Sequence, residues 1–185
     1  MRTRPRTPVM ALVALGALVL AGCSPTEEVD PLLQEHGLAG MDGRQIVEHL
    51  EATGQARPLP YGASVRETEV LLSEGEHEVA VPLPSGQHYV SIAPYVDVTH
   101  DCYYHSLATC QGELVEQPVE VTITSDDGEV LVQEQAVTHP NGFVGFWVPS
   151  GTAGTIEVTY EGMAGAVPFT TEDGDPTCIT TLQVT

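Results

Sequence analysis

The chain has 185 residues, enough for one ordinary domain or two small ones. It sets 26 acids against six arginines and no lysine, a formal net charge of −20. Such a surface repels nucleic acid and anionic lipid headgroups, so neither is an expected partner of the folded part, and most of these carboxylates read as a solvated coat.

Residues 1–22 read as a lipoprotein signal peptide. Arg2, Arg4 and Arg6 form a basic start, and Val9 to Leu20 is an apolar run too short for a bilayer, which needs about 20 residues. Leu20-Ala21-Gly22-Cys23 resembles a lipobox, so Cys23 is the expected lipidation site and the membrane contact runs through that N-terminal lipid. The mature chain keeps only Arg44, Arg57 and Arg66 as fixed cations. Residues 23–33, acidic and broken by Pro25 and Pro31, read as a tether of low order.

A small α+β module is expected over 34–85. Asp42 is a candidate N-cap with Gln45 three residues on, and Ile46, Val47 and Leu50 make an apolar stripe ahead of Gly54, which together predict one short helix. Glu48 and His49 fall on its solvent edge. Beyond Ser64 the period becomes two, and Val65–Leu72 and Glu78–Val81 read as strands around Ser73-Glu74-Gly75-Glu76. Pro82, Pro84 and Gly86 end the unit, with His77 and His88 as surface residues.

Residues 86–185 predict about seven short strands: Tyr89–Val98, Val119–Thr124, Glu129–Val137, Phe143–Val148, Thr155–Tyr160, Gly165–Thr170 and Cys178–Val184. Pro94 forces an edge or a bulge in the first. Val119 to Thr124 alternates apolar and polar, and Asp127-Gly128 favours a tight turn. The fold class is therefore mainly β: a β-sandwich-like C-terminal domain with a small α+β N-terminal module.

The chemistry gathers at 100–113, His-Asp-Cys-Tyr-Tyr-His-Ser-Leu-Ala-Thr-Cys-Gln-Gly-Glu. With Cys23 assigned to the lipid, Cys102, Cys110 and Cys178 remain, and an odd number outside the cytoplasm leaves one thiol unpaired. Thiolate and imidazole are ligands for Cu(I), Cu(II) and Zn(II). The Cys-x7-Cys spacing is neither a zinc knuckle nor a thioredoxin-like pair, and a disulfide across a loop accounts for it equally well.

This stretch, with Asn-Gly-Phe at 141–143 and Asp-Gly-Asp-Pro-Thr-Cys at 173–178, resembles the CueP family of exported copper-binding proteins. The resemblance runs from about Tyr89 to Thr185. It implies an exported copper-binding protein in copper resistance or copper handling, with Cys102, Cys110 and Cys178 as ligands and His100 and His105 matching beside them; with the lipobox, this makes an extracytoplasmic, lipid-anchored protein. Copper as Cu(I) suits the thiolates; Cu(II) or zinc would draw on the histidines. If the last strand runs beside the strand ending at Val98, the three sulfurs converge on one end of the sandwich. The same neighbourhood makes Cys102 and Cys178 the expected disulfide on oxidation, with Cys110 left free. Expected partners are the copper ion, an exported copper-receiving protein and a second copy in a homodimer. The chain is expected to be a binding protein and not an enzyme. Two other readings use the same cysteines: a thiol-disulfide redox protein, and a module that the bridge merely staples. No Cys-x2-Cys at a helix start supports the redox reading.

Overall fold

The structure, a computed structural model, describes residues 29–185. The leader, Cys23 and the first part of the expected tether lie outside the described residues. The end of that tether is not loose. Pro31–Glu35 form helix α1, capped by Asp30, whose side chain accepts from the Leu32 amide at 2.9 Å. Proline at a first helical position and buried Leu32 and Leu38 explain the order.

Helix α2, Gly43–Ala52, follows from the signals noted in the sequence. The Asp42 side chain accepts from the Gln45 amide, and the Gln45 side chain accepts from the Asp42 amide, both at 2.9 Å. Its buried face is Gly43, Ile46, Val47, Leu50 and Glu51, a complete i, i+3, i+4, i+7, i+8 stripe. That stripe packs on an antiparallel sheet of β1 (Gly62–Val65), β2 (Glu69–Glu74) and β3 (His77–Pro82). The expected single strand from Val65 to Leu72 is thus two strands, reversing between Val65 and Glu69.

Seven further strands form two sheets. The first is β10-β4-β7, with β4 at Gln87–Ile92, β7 at Val144–Pro149 and β10 at Cys178–Ile179. The second is β6-β5-β8-β9, built from Val130–Val137, Pro118–Ser125, Ala153–Tyr160 and Met163–Thr170. Val90, Ile92, Val144, Phe146 and Val148 of the first face Val121, Ile123, Ile156 and Val158 of the second. This is the sandwich that the alternating pattern implies. The first strand ends at Ile92 rather than Val98, because the chain breaks at Pro94, and beyond it Tyr95 makes only an isolated bridge to Gln183. The last strand is correspondingly short.

The small sheet β10-β4-β7 is a middle layer. Tyr89 and Trp147, on its other face, join the core of α2 and β1–β3, as do Leu107 and Ala108 from the ligand stretch. The N-terminal module packs as a third layer over the sandwich and shares this core with it. Backbone bonds cross the seam: the Val65 amide donates to the His105 carbonyl at 2.8 Å and the Leu59 amide to the Ala108 carbonyl at 2.9 Å.

Gly145 of β7 makes room in this seam. A Cβ there would overlap the Tyr89 hydroxyl. Gly145→Ala is expected to lower stability by about 1–3 kcal/mol through overpacking, read from urea unfolding. An unchanged midpoint would show that Tyr89 does not stand against Gly145.

Candidate metal centre

Three strands and one loop converge to place the donors. Cys178 begins β10, whose parallel pairing sets it opposite Ser91 of β4. The Thr177 and Cys178 amides both donate to the Tyr103 carbonyl at 3.1 Å, which brings the last strand against the residue after Cys102. The Thr177 hydroxyl accepts from the His105 amide at 2.9 Å and donates to the Val65 carbonyl at 2.7 Å. One threonine thus ties the ligand loop to the last strand and to β1. Cys110 closes a turn from Ser106, its amide donating to the Ser106 carbonyl at 3.0 Å. Just beyond, the Gly112 amide donates to the Asn141 carbonyl at 2.6 Å, and the backbones of Gly112 and Gly142 touch so closely that a Cβ on either would overlap the other. The Asn-Gly-Phe turn is thereby fastened to the Cys110 loop.

The result is a buried cluster. The Sγ atoms of Cys102, Cys110 and Cys178 and a ring nitrogen of His105 all lie within 4.8 Å of one another. Cys102 and Cys178, the pair that the strand argument singles out, are joined as a disulfide with Cα atoms 5.8 Å apart. Cys110 is the free cysteine, its Sγ 3.5 Å from that of Cys102. His105 is wholly buried, with Phe143 packed on its ring at 4.5 Å between centroids. Its Nδ1 faces the sulfurs, 3.8 Å from Cys178 Sγ. Once the bridge is reduced, three soft sulfurs, half-buried at Cys102 and buried at Cys110 and Cys178, and one imidazole nitrogen are a donor set that fits Cu(I) and also accepts Zn(II).

His100 is not brought in. It stands edge-on to Phe143 at 6.0 Å and lies outside the four-residue cluster. It lines instead an open cleft of about 600 Å³, together with Val98, Asp101, Cys110, Gln111 and Glu113. Glu113 holds the cleft wall: its Oε2 accepts from the amides of Val96, Asp97 and Val98 at 2.7, 3.0 and 3.3 Å, and these bonds keep its carboxyl below the usual range. Cys110 is the cluster member that reaches this cleft. Tyr103 and Tyr104 do not cover the cluster; Tyr103 is exposed, and Tyr104 lies under the Arg66 guanidinium.

Glu51 is the functional-site residue that the sequence reading does not reach. It is fully buried, with Oε1 3.0 Å from His105 Nε2. The N–H does not aim along that line, so the contact is an ion pair more than a straight hydrogen bond. Tyr89 Oη and Ser91 Oγ donate to Oε1 at 3.0 Å each, and Asn141 Nδ2 donates to Oε2 at 2.6 Å. A signal for it existed. Glu51 stands four residues after Val47, on the face that helical periodicity assigns to the core.

Burial opposes the charge of both partners, and each outweighs it for the other. Desolvation pulls the His105 pKa down, but the Glu51 carboxylate and the Cys110 side chain lift it from 6.5 to about 9. Desolvation pushes Glu51 up, but His105 and the Asn141 hydrogen bond bring it from 4.5 to about 2. The pair is therefore ionised over the whole neutral range.

The arrangement defines a class: a β-sandwich with a buried thiol-imidazole cluster at its rim, under a helical layer. Residues 45–183 match the family described as "Periplasmic copper-binding protein CueP". A solved structure, the crystal structure of S.CueP, is 43% identical; the match covers 83% of this chain and 95% of that one, with a TM-score of 0.81. Among curated proteins no relative matches. The chain belongs to the CueP family of periplasmic copper-binding proteins.

The ion pair gives stability a defined pH dependence. The His105 contribution is complete below its ordinary value of 6.5 and is lost as pH rises through about 9. The Glu51 contribution is complete above its ordinary 4.5 and is lost as pH falls through about 2. Both describe one contact, which counts once and is strongest between those two ordinary values. In urea unfolding of the metal-free, disulfide-bonded protein, Glu51→Gln should lose about 3 kcal/mol in that window, with the gap narrowing as pH approaches and passes 9. A gap that does not vary with pH would rule out the ion pair.

Proposed function

We propose that the reduced protein holds one Cu(I) ion among the thiolates of Cys102, Cys110 and Cys178, with His105 Nδ1 as a further donor. It sequesters copper outside the cytoplasm and hands it to an exported acceptor, without turnover as an enzyme. The observation that carries this reading is the convergence of three cysteine sulfurs, two of them on buried residues, and one imidazole nitrogen within 4.8 Å, in a chain of this family. Cu(I) is soft and low in coordination number and is satisfied by two or three thiolates, whereas Cu(II) prefers imidazole and oxygen donors and zinc would take all four groups as a tetrahedral set. The cleft at Cys110 supplies an approach from solvent. In this reading His100 lines that approach and does not ligate.

The cysteines have two exclusive uses. Reduction of the Cys102–Cys178 bond takes two electrons and two protons, and the freed thiols lose protons again when a metal binds. Bridged sulfurs are no longer thiolate ligands. The bridge, with Cys110 close by, also favours a second reading, a thiol-disulfide redox protein. Turnover with a dithiol substrate would favour that second reading, and stoichiometric Cu(I) binding without turnover would favour the first.

Attachment belongs to the same proposal. Leu-Ala-Gly-Cys ending at Cys23 supports a lipid anchor. Among the described residues no helix is long and apolar enough to cross a membrane. A homodimer and the identity of the acceptor are open to the same binding experiments.

Reduced mature protein should bind one Cu(I), as read by mass spectrometry and by competition with a chromogenic Cu(I) chelator. Cys110→Ser and Cys178→Ser should each weaken binding at least tenfold by removing a soft donor. Air-oxidised protein should show a Cys102–Cys178 peptide and poor Cu(I) binding, restored by reductant. Undiminished affinity in both serine variants, or in fully oxidised protein, would sink the assignment.

Cys23→Ser should move the protein from the membrane fraction to the soluble one, since an acidic domain has no attraction to anionic headgroups. A normally processed variant that still sediments with membranes would refute the anchor.

A further inference from the structure

We propose that Glu51 is a positioning residue for the metal: it keeps the His105 proton on Nε2 and leaves Nδ1, which is turned to the three sulfurs, as the nitrogen that gives up its proton and ligates. The inference rests on reading the cluster as a Cu(I) site, and it gives the N-terminal layer a part in that site.

A carboxylate at a helix core position is costly to bury, by several kcal/mol unless it is paired and hydrogen-bonded. Glu51 is both. Oε1 takes the Tyr89 and Ser91 hydroxyls and faces His105 Nε2, while Oε2 takes the Asn141 amide. Each of these donors is itself fixed. Tyr89 stands over Gly145, and Ser91 is paired opposite Cys178 in the middle sheet. Asn141 turns its Oδ1 to the Phe143 amide at 3.1 Å. A carboxylate held at both oxygens is not free to swing to the metal as a ligand. What it does is accept.

That acceptance decides which ring nitrogen can ligate. The two nitrogens of His105 see opposite surroundings: Nε2 faces Glu51 at 3.0 Å, and Nδ1 faces Cys178 Sγ at 3.8 Å. Oε1 already accepts two hydroxyls and Oε2 an amide, so this carboxylate offers lone pairs and not a proton, and the nitrogen beside it keeps its own. The proton that leaves when a metal binds is then the one on Nδ1, which uncovers a lone pair on the sulfur side. A carboxylate behind a ligating histidine fixes tautomer and ring orientation and raises ligand basicity, and its loss commonly costs 10–100-fold in metal affinity. Nothing else on the Nε2 side does this job. Arg57, the arginine nearest in sequence to Glu51, donates to the carbonyls of Leu50 and Leu107 at 3.0 and 3.1 Å.

A merely structural contact would stabilise the fold without acting through the histidine, and a double-mutant cycle separates the two. Reduced full-length mature protein is titrated with Cu(I) against a chromogenic chelator, as wild type, Glu51→Gln, His105→Ala and the double variant. Glu51→Gln should weaken Cu(I) binding roughly 10–100-fold. In the His105→Ala background the same change should have no further effect. Unchanged affinity in Glu51→Gln, or an equal loss in both backgrounds, overturns the proposal. If His105→Ala binds like wild type, histidine ligation fails and takes this inference with it. If wild type binds no Cu(I), the copper reading itself fails. If only Glu51→Gln is silent, the inference fails alone. A second measurement does not depend on how the variants fold. Long-range 1H–15N spectra of Cu(I)-loaded wild type should show His105 protonated at Nε2 and metal-shifted at Nδ1. A shift at Nε2, or at neither nitrogen, overturns the proposal.

Discussion

The contact between the Glu51 carboxylate and the His105 imidazole is the constraint around which the rest is arranged. It joins a helix of the outer layer to a loop at the sandwich rim, through the middle sheet. A buried ion pair is stable only when its remaining hydrogen-bonding capacity is satisfied. That requirement calls for Tyr89 and Ser91 on the inner face of β4, Asn141 on a turn beyond β6, and a glycine at 145 to clear the space. Polar residues in the middle sheet, which would be a liability in an ordinary core, are there to meet this charge. Their positions in turn set the distance between α2 and the sulfurs.

The sulfurs illustrate a second economy. The same sulfurs that form the bridge stand beside a free thiol and an imidazole, and the scaffold around them does not depend on the bridge. Thr177 fixes the His105 backbone, and the glycine contact at 112 and 142 fixes the Cys110 loop, without help from any sulfur. Preorganisation of this sort keeps donors near their binding geometry at little cost in ordering.

Much of this was legible in the sequence, and the rest was hidden for reasons that can be named. Alternation in Val119–Thr124 and the spacing of the later turns identified the sandwich strands, because one face of each meets a core and the other meets water. The three clustered cysteines stood out because cysteine is rare and its spacing distinctive. The middle layer was hidden because β4 is buried on both faces and shows no alternation, so the N-terminal module looked separable. Pro94 was read as an edge or a bulge in a longer strand, whereas the chain leaves the sheet there. His100, further on, lies outside the four-residue cluster. Glu51 was hidden because charge is normally read as solvent exposure, and a stripe judged by apolar residues alone stops at Leu50. Only the positions of residues 89, 91, 105 and 141, which lie far off in sequence, make an acid welcome there.

Those separations have a kinetic side. The bridge spans 76 residues, the Asn141–Glu51 bond 90 and the Thr177–Val65 bond 112. Contacts of such reach return their free energy only after the entropy of closing large loops has been lost, so they form late relative to local hairpins such as β5–β6 and β8–β9. The parallel pairing of β10 adds to the delay, since the last strand must arrive beside β4 after everything between them has folded. During export, a nascent chain lacking its final strand has the Cys102 and Cys110 loop but no Cys178, no Thr177 clasp and no closed pocket. The four-residue cluster is therefore assembled only when the last strand is in place.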